Sequence, residues 1–212
     1  MIPDAPAVGL FVVAALALLL VPGPAVLYVV ARSVHEGRRA GLASVVGIHV
    51  GTLVHIAAAT LGLSALIASS AVAFTAVKIA GAVYLVGLGL WTLCSRRAEP
   101  DVALGGERNL RRAFAQGIVV NVLNPKTALF FLAFLPQFVD PNAPHPALQI
   151  AFLGFLFALL GLVTDSIWAL AAGTAGGVLR RSRRFLSTQR YVTGTVYIGL
   201  GVATALAGSA ED

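Results

Sequence analysis

Residues 7–31 read AVGLFVVAALALLLVPGPAVLYVVA, an apolar run interrupted only by Pro22-Gly23-Pro24. About 20 apolar residues in a helix cross the hydrocarbon core of a bilayer, so this run is long enough to span a membrane. Its two prolines lack backbone N–H donors and clash with the preceding turn, while Gly23 tolerates unusual dihedral angles. The sequence therefore predicts a transmembrane helix that breaks near its middle.

The rest of the chain has the same apolar character. It is 58% hydrophobic and 11% charged over 212 residues, with a mean hydropathy of +0.88, whereas a soluble domain carries about a quarter charged residues. Lipid must therefore be the solvent for most of it. We predict an all-α integral membrane protein with six transmembrane helices in a single membrane domain over residues 1–212. The five further apolar runs are 41–68, 72–94, 113–138, 147–176 and 191–208.

The net charge is +6, and all the arginines lie in alternate loops, whereas Lys78 and Lys126 fall within apolar runs. Residues 32–40, 95–112 and 177–190 are basic, whereas residues 69–71 and 139–146 contain no Lys or Arg. Cytoplasmic loops of membrane proteins carry such an excess of Lys and Arg, so we expect both termini to lie outside. A nucleic-acid partner would need a basic face on a soluble module, and we expect none.

Two further features limit the function. Cys94 is the only cysteine, which excludes an intramolecular disulfide, a Cys-ligated metal site and thiol-transfer chemistry. We therefore expect no enzyme activity and no cofactor. The first apolar run follows no basic segment, so we expect it to be retained as a helix rather than removed as a signal peptide.

The two halves of the chain resemble each other weakly. Residues 1–95 and 113–212 form the halves, and residues 96–112 form a cytoplasmic connection. Because each half has three spans, the second must insert upside down relative to the first, and such inverted three-helix repeats are typical of transporters. The matched segments are Gly23-Pro24 with Asn124-Pro125, Gly51…His55 with Gly161…Asp165, and Lys78–Tyr84 with Tyr191–Tyr197.

The fourth run contains a second helix break, Asn121-Val-Leu-Asn124-Pro125-Lys126. A pair of Pro- or Gly-interrupted spans at corresponding positions of two halves indicates a transport site. Two simple proline kinks at a packing joint are the alternative. The residues that we predict to form the substrate pathway are Pro22, Gly23, Pro24, Asn121, Asn124, Pro125 and Lys126.

Lys126 lies about 20 Å from the end of the nearest basic loop, at 1.5 Å per residue. That depth is too great for the ammonium to reach the headgroups, as a Lys near a helix end does. A lysine at bilayer depth costs several kcal/mol unless it is paired or hydrated, and it marks a functional site. We predict that Lys126 contacts a substrate carboxylate.

Asp165 is the only acid within an apolar run. It suits a proton carrier or a fixed counter-ion of Lys126 or Lys78, and a carboxyl that is merely hydrogen-bonded to Thr164 or Ser166 is the plainer alternative.

Three further side chains could serve the same site. His55 occupies the position that matches Asp165, and because histidine titrates near neutrality we expect it to share proton coupling. Lys78 is a counter-ion or reaches the headgroups from its helix end. We expect His49 to be a packing residue, and Gly47-xxx-Gly51 to mark a close helix contact.

Several of these strings resemble the LysE/RhtB family of amino-acid exporters. They are Leu20–Tyr28, Gly37–Gly41, Lys78–Leu85, Gly117–Lys126 and Phe131–Phe138. The resemblance covers nearly the whole chain, and the seven predicted pathway residues match family motif positions. It implies secondary-active efflux of amino acids or close derivatives from a bacterial cytoplasmic (inner) membrane, by proton antiport and alternating access.

Other functions compete with that interpretation. A metal-cation exporter would need several carboxylate, imidazole or thiolate ligands, and His49, His55 and Asp165 make a thin set, so we predict no resident metal. Export of another small solute stays open. A passive channel would need a charged ring, which one acid and two lysines do not form. The sequence leaves open the substrate and the oligomeric state, including a homo-oligomer.

Overall fold

The computed structural model describes residues 3–94 and 109–179, together with residues 191, 195, 198, 199 and 202. Within this part of the chain every regular element is helical, as predicted. Residues 96–108 of the predicted connection and most of the sixth predicted helix (191–208) lie outside it.

The first predicted span is two helices. Helix α1 (Ala5–Leu20) and helix α2 (Pro24–Glu36) meet at an angle of 51°. The Asp4 carboxylate caps α1 by accepting a hydrogen bond of 2.9 Å from the Ala7 amide, and Pro24 begins α2, where a missing N–H costs nothing. The predicted break is therefore confirmed.

The fourth predicted span is broken in the same way. Helix α5 (Leu110–Val122) is followed by α6 (Pro125–Leu129), which continues as a π-helical turn (Phe130–Phe134) and a 3-10 turn (Leu135–Phe138). The two parts are bent by 45°. The second predicted break is thus also confirmed, and π-helical turns recur at functional sites.

Three helices run without a break. They are α3 (Arg38–Ser69), α4 (Ala71–Cys94) and α7 (Pro146–Leu179), and they cover the second, third and fifth predicted spans. In the described part of the chain, α3 and α7 are each long and apolar enough to cross a membrane, and the candidate spans number up to four when each broken pair counts as one. The inverted repeat and the outside termini stay predictions.

Helices α3 and α5 approach each other so closely at three glycines that no side chain would fit there. A Cβ atom at Gly51 would lie 2.9 Å from the Ile118 carbonyl oxygen, and one at Gly117 would lie 2.6 Å from that of Ser44. A Cβ atom at Gly47 would overlap the carbonyl oxygen of Phe114. The predicted close helix contact at Gly47 and Gly51 is therefore confirmed, with α5 as the partner.

The bundle exposes large apolar side chains and buries several polar and charged ones. Leu61 and Leu159 are 74% and 59% exposed on its surface, whereas Asn121, Lys126 and Asp165 are buried within it. A soluble protein would not present so much apolar surface to water. A lipid solvent explains both observations, because lipid favours the exposed apolar side chains and disfavours exposed charges.

A larger side chain at Gly47 should separate α3 from α5. We expect Gly47→Leu to destabilise the protein by about 1–3 kcal/mol, the usual cost of overpacking, and to lower its thermal unfolding temperature in detergent. Gly62→Leu is the matched control, because Gly62 lies on the same helix and a Cβ atom added there would meet no atom within 4 Å. Equal unfolding temperatures for the two variants would contradict the close contact.

Candidate functional site

Lys126 joins the two helix breaks. Its ammonium donates hydrogen bonds to the carbonyl oxygens of Leu18, at 2.6 Å, and Val21, at 2.5 Å. In an unbroken helix the Leu18 carbonyl would accept from the amide of residue 22, but Pro22 has no N–H. Lys126 supplies the missing donor from α6, and its charge lies at the negative end of the α1 dipole.

Gly23 lets the lysine come this close. A Cβ atom at Gly23 would lie 2.9 Å from Cδ of Lys126. Because the ammonium is held by two carbonyl groups, the side chain has little freedom to move away. The Pro-Gly-Pro string therefore does two things. Pro22 frees the Leu18 carbonyl group, while that of Val21 lies past the end of α1, and Gly23 admits the lysine that binds both.

The two asparagines organise the second break. The Asn121 amide group donates to the Ile48 carbonyl oxygen and to the Thr52 hydroxyl, both at 2.9 Å, which fixes α5 to α3. The Asn124 side-chain oxygen accepts a hydrogen bond of 3.1 Å from the backbone amide of Lys126 and so caps α6. Both residues thereby determine where Lys126 projects.

Asp165 faces His49. Its Oδ2 atom lies 3.3 Å from His49 Nε2, at ion-pair distance, and the two side chains are 6% and 14% exposed. Thr164 does not satisfy the carboxylate, because its hydroxyl donates to the Gly161 carbonyl oxygen at 3.1 Å. Within the described residues, the basic side chain at ion-pair distance from Asp165 is His49, which is charged only when protonated, rather than Lys126. His49 is not the simple packing residue that we expected.

His55 lies elsewhere. Its Nε2 atom is 2.9 Å from the Asn121 carbonyl oxygen, and its ring stacks on Phe131 with centroids 5.9 Å apart. A carbonyl group only accepts, so Nε2 carries the hydrogen. The structure thus places Asp165 in the lining of the cavity between the breaks, whereas His55 contacts the second break at Asn121 and is not among the described lining residues. Lys78 lies on α4, and its side chain is outside the described part of the chain.

A cavity of about 40 Å³ lies between the two breaks. One side is polar and the other is apolar, and the helices α1, α2, α3, α5, α6 and α7 all contribute. The polar residues that line it are His49, Thr52, Asn121, Asn124, Lys126, Thr127 and Asp165, and the apolar side chains are those of Leu18, Leu19, Ala25, Val26, Ile48 and Phe157.

A buried polar network closes the bundle between this cavity and the end that carries Arg38 and Arg111, called here the basic end. The Arg32 guanidinium bonds to Glu36 and to Gln116 of α5, and its Nε donates to the Tyr28 hydroxyl at 3.1 Å. The Tyr28 hydroxyl in turn donates to the backbone of α5 at Ala113, at 3.0 Å. These bonds hold α2 against α5.

Aromatic side chains close the opposite side. The rings of Phe130 and Phe157 stack with centroids 3.9 Å apart, and Phe11 of α1 contacts Phe130 at 5.8 Å. Phe157 also lines the cavity. Packed groups therefore flank the cavity on both sides.

Comparison with known proteins agrees with this architecture. The sequence model of the LysE type translocator family matches residues 16–208. The chain belongs to this family. It is 27% identical to an uncharacterized membrane protein of Vibrio cholerae, over 93% of this chain and 95% of the relative. It is 28% identical to an uncharacterized membrane protein of Pseudomonas aeruginosa, over 93% and 94%. A leucine efflux protein of Enterobacter sp. (strain 638) is 26% identical, over 92% and 93%. No solved structure matches.

Sequence reasoning missed three residues of this translocator. The charge of its loop indicates only that Arg32 lies on the cytoplasmic side. A signal for its pairing was present, because Arg32 and Glu36 are spaced to lie on one helix face. Thr52 and His49 gave no comparable signal, because their partners Asn121 and Asp165 lie on helices far along the chain. Only the packing of α3 against α5 and α7 brings these residues into the site.

Gly23→Ala should displace Lys126 from the two carbonyl groups. We expect a loss of about 1–3 kcal/mol of stability, the cost of leaving buried polar groups unpaired, seen as a lower unfolding temperature in detergent. Gly9→Ala is the control, since Gly9 lies in the same broken span with open space around it. If the two variants unfold at the same temperature, Lys126 does not need the space at Gly23.

Proposed function

We propose that this translocator exports amino acids or close derivatives across the bacterial cytoplasmic membrane and binds them between its two helix breaks. The observation that carries the proposal is the meeting of both breaks at Lys126, beside a cavity that also contains Asp165. Membership of the translocator family supports it, as does the likeness to a leucine efflux protein.

The cavity offers a partner to each charge of an amino acid. Asp165 supplies an anion for the substrate ammonium. Lys126 uses two of its three ammonium hydrogens on carbonyl groups, which leaves the third for the substrate carboxylate. The amides of Ala25 and Val26 lie in the first turn of α2, where a helix has no internal acceptors for them, and they too suit a carboxylate.

The small cavity suits one conformation of an alternating-access cycle. Its volume of about 40 Å³ is far below the roughly 300–1,000 Å³ of typical ligand pockets, so the helices must separate to admit a substrate. Opening towards the basic end, which we take as cytoplasmic, would part α2 from α5 at Arg32 and Tyr28. Opening towards the other end would part the rings of Phe130 and Phe157.

Export against a gradient needs an energy source, and we propose proton antiport. A proton taken up from outside at Asp165, or at a group beside it, would neutralise the anion that holds the substrate ammonium, and the substrate would leave. Among the described residues, no three His, Cys, Asp or Glu side chains come together in a way that could hold a metal ion, so the metal-cation alternative gains no support from this part of the chain.

The proposal is tested in proteoliposomes with a panel of radiolabelled amino acids under an imposed pH gradient. We expect gradient-driven flux of at least one of them. Asp165→Asn should abolish the coupled flux but retain some substrate exchange, because the amide carries no negative charge that a proton could neutralise. No movement of any amino acid would refute the function, and full coupled flux in Asp165→Asn would refute the role of Asp165.

Lys126→Ala should abolish transport without preventing membrane insertion. The variant removes the ammonium that binds both the freed carbonyl groups and, in our proposal, the substrate carboxylate. Flux in proteoliposomes and the amount of protein in the membrane fraction are measured together. Normal flux would contradict a role for Lys126, whereas loss of the protein from the membrane would reduce that role to folding.

A further inference from the structure

His49 and Asp165 are two titratable residues that face each other in the cavity. The residues lie on different helices, α3 and α7, and the distance from Nε2 to Oδ2 is 3.3 Å. Both ring nitrogens of His49 are buried and neither makes a hydrogen bond among the described residues, so Nε2 meets Oδ2 at ion-pair distance without a hydrogen bond. A Cβ atom at Gly161 would lie 2.8 Å from Cε1 of His49, so the ring reaches Asp165 only because position 161 has no side chain.

The other ionisable groups that face His49 are few. Lys126 of α6 and Asp165 of α7 line the same cavity, and the described lining residues of α1, α2 and α5 carry no charge. The lysine ammonium is already held by the carbonyl groups of α1. A proton on His49 therefore acts mainly on one neighbouring charge, the carboxylate of Asp165.

We propose that His49 is the proton-binding residue of the exporter, and that its proton competes with the substrate ammonium for Asp165. This rests on the proposed function above. With His49 neutral, Asp165 has no cation at ion-pair distance among the described residues, and it attracts the substrate ammonium. With His49 protonated, an imidazolium at ion-pair distance neutralises Asp165, and the ammonium loses its partner. Linkage is reciprocal, so substrate binding releases the proton.

The same pair accounts for tight coupling. When His49 is neutral and the site is empty, closure of the cavity would leave Asp165 without a cation at ion-pair distance, since the Lys126 ammonium is bonded to the carbonyl groups of α1. A buried carboxylate without such a partner is unfavourable. Closure is favourable with either the proton on His49 or the substrate ammonium beside Asp165. The exporter therefore changes sides carrying one or the other, which is the condition for exchange rather than leakage.

Substrate binding at several pH values tests this inference. The probe is radiolabelled leucine, or the amino acid with the largest flux in the panel if leucine does not move. For the wild-type protein we expect the apparent Kd to rise, by up to about tenfold per pH unit, as the pH falls through the range from about 8 to 5 in which histidine titrates. In a lightly buffered solution, binding should release about one proton per substrate molecule, as linkage requires.

His49→Gln keeps a polar side chain but cannot bind this proton. It should bind substrate with a Kd that is nearly independent of pH, release no proton, and retain exchange while losing flux driven by the pH gradient. His49→Lys places a permanent cation beside Asp165 and should bind substrate poorly at every pH. His145→Gln is the control, since His145 lies exposed in the loop before α7, and its pH dependence should equal that of the wild type.

Several outcomes would overturn the inference. Retention of the pH dependence in His49→Gln is one, and its loss in His55→Gln with retention in His49→Gln is another. Should neither His49 variant fold, a wild-type protein that releases no proton on binding would overturn it equally. If no amino acid binds to the wild-type protein at any pH, the proposed function fails as well, so the two failures are distinguishable.

Discussion

The ammonium of Lys126 on the carbonyl groups of Leu18 and Val21 is the contact on which the rest of the site depends. Inside a bilayer no water is available to a backbone group that a proline has deprived of its donor, and each unsatisfied group costs several kcal/mol. The Lys126 ammonium supplies the missing donor to the Leu18 carbonyl group of α1. In return, two oxygen atoms at the negative end of a helix stabilise a cation that lipid would otherwise exclude.

This exchange links the two halves of the protein chemically. The carbonyl groups belong to the first broken span and the ammonium to the second, so neither break is satisfied alone. The surrounding geometry serves the same contact: Gly23 admits the lysine side chain, Asn124 caps the short helix that carries it, and Asn121 ties the preceding helix to α3. The site is therefore a joint between helices as well as a place for a ligand.

Much of this could be read from the sequence because its causes are local. Hydropathy over about 20 residues identifies a span, and the absence of an N–H at Pro22 breaks a helix whatever lies around it. The Asn124-Pro125-Lys126 string carries a cap, a helix start and a buried cation in consecutive positions. For the same reason the small-residue spacing of Gly47 and Gly51 was enough to predict a close helix contact, though not its partner.

Local pattern did not reveal which side chains meet. His55 and Asp165 occupy matching positions in the two halves, yet the structure pairs Asp165 with His49 and directs His55 to the Asn121 carbonyl oxygen. The rotation of α3 against α7 decides which histidine faces the carboxylate, and that rotation is set by packing at glycines such as Gly161, not by the polarity of either histidine.

The sequence by itself determined that this chain lies in lipid, that two of its helices break, and that a lysine and an aspartate are buried at bilayer depth. Each of these follows from hydropathy, from the chemistry of proline or from the cost of burying a charge. Only the tertiary structure decided that Lys126 binds backbone carbonyl groups, that Asp165 faces His49, and that Arg32 and the phenylalanine rings close the cavity. Those partners lie on different helices, and their distances depend on how the helices pack rather than on any neighbouring residue.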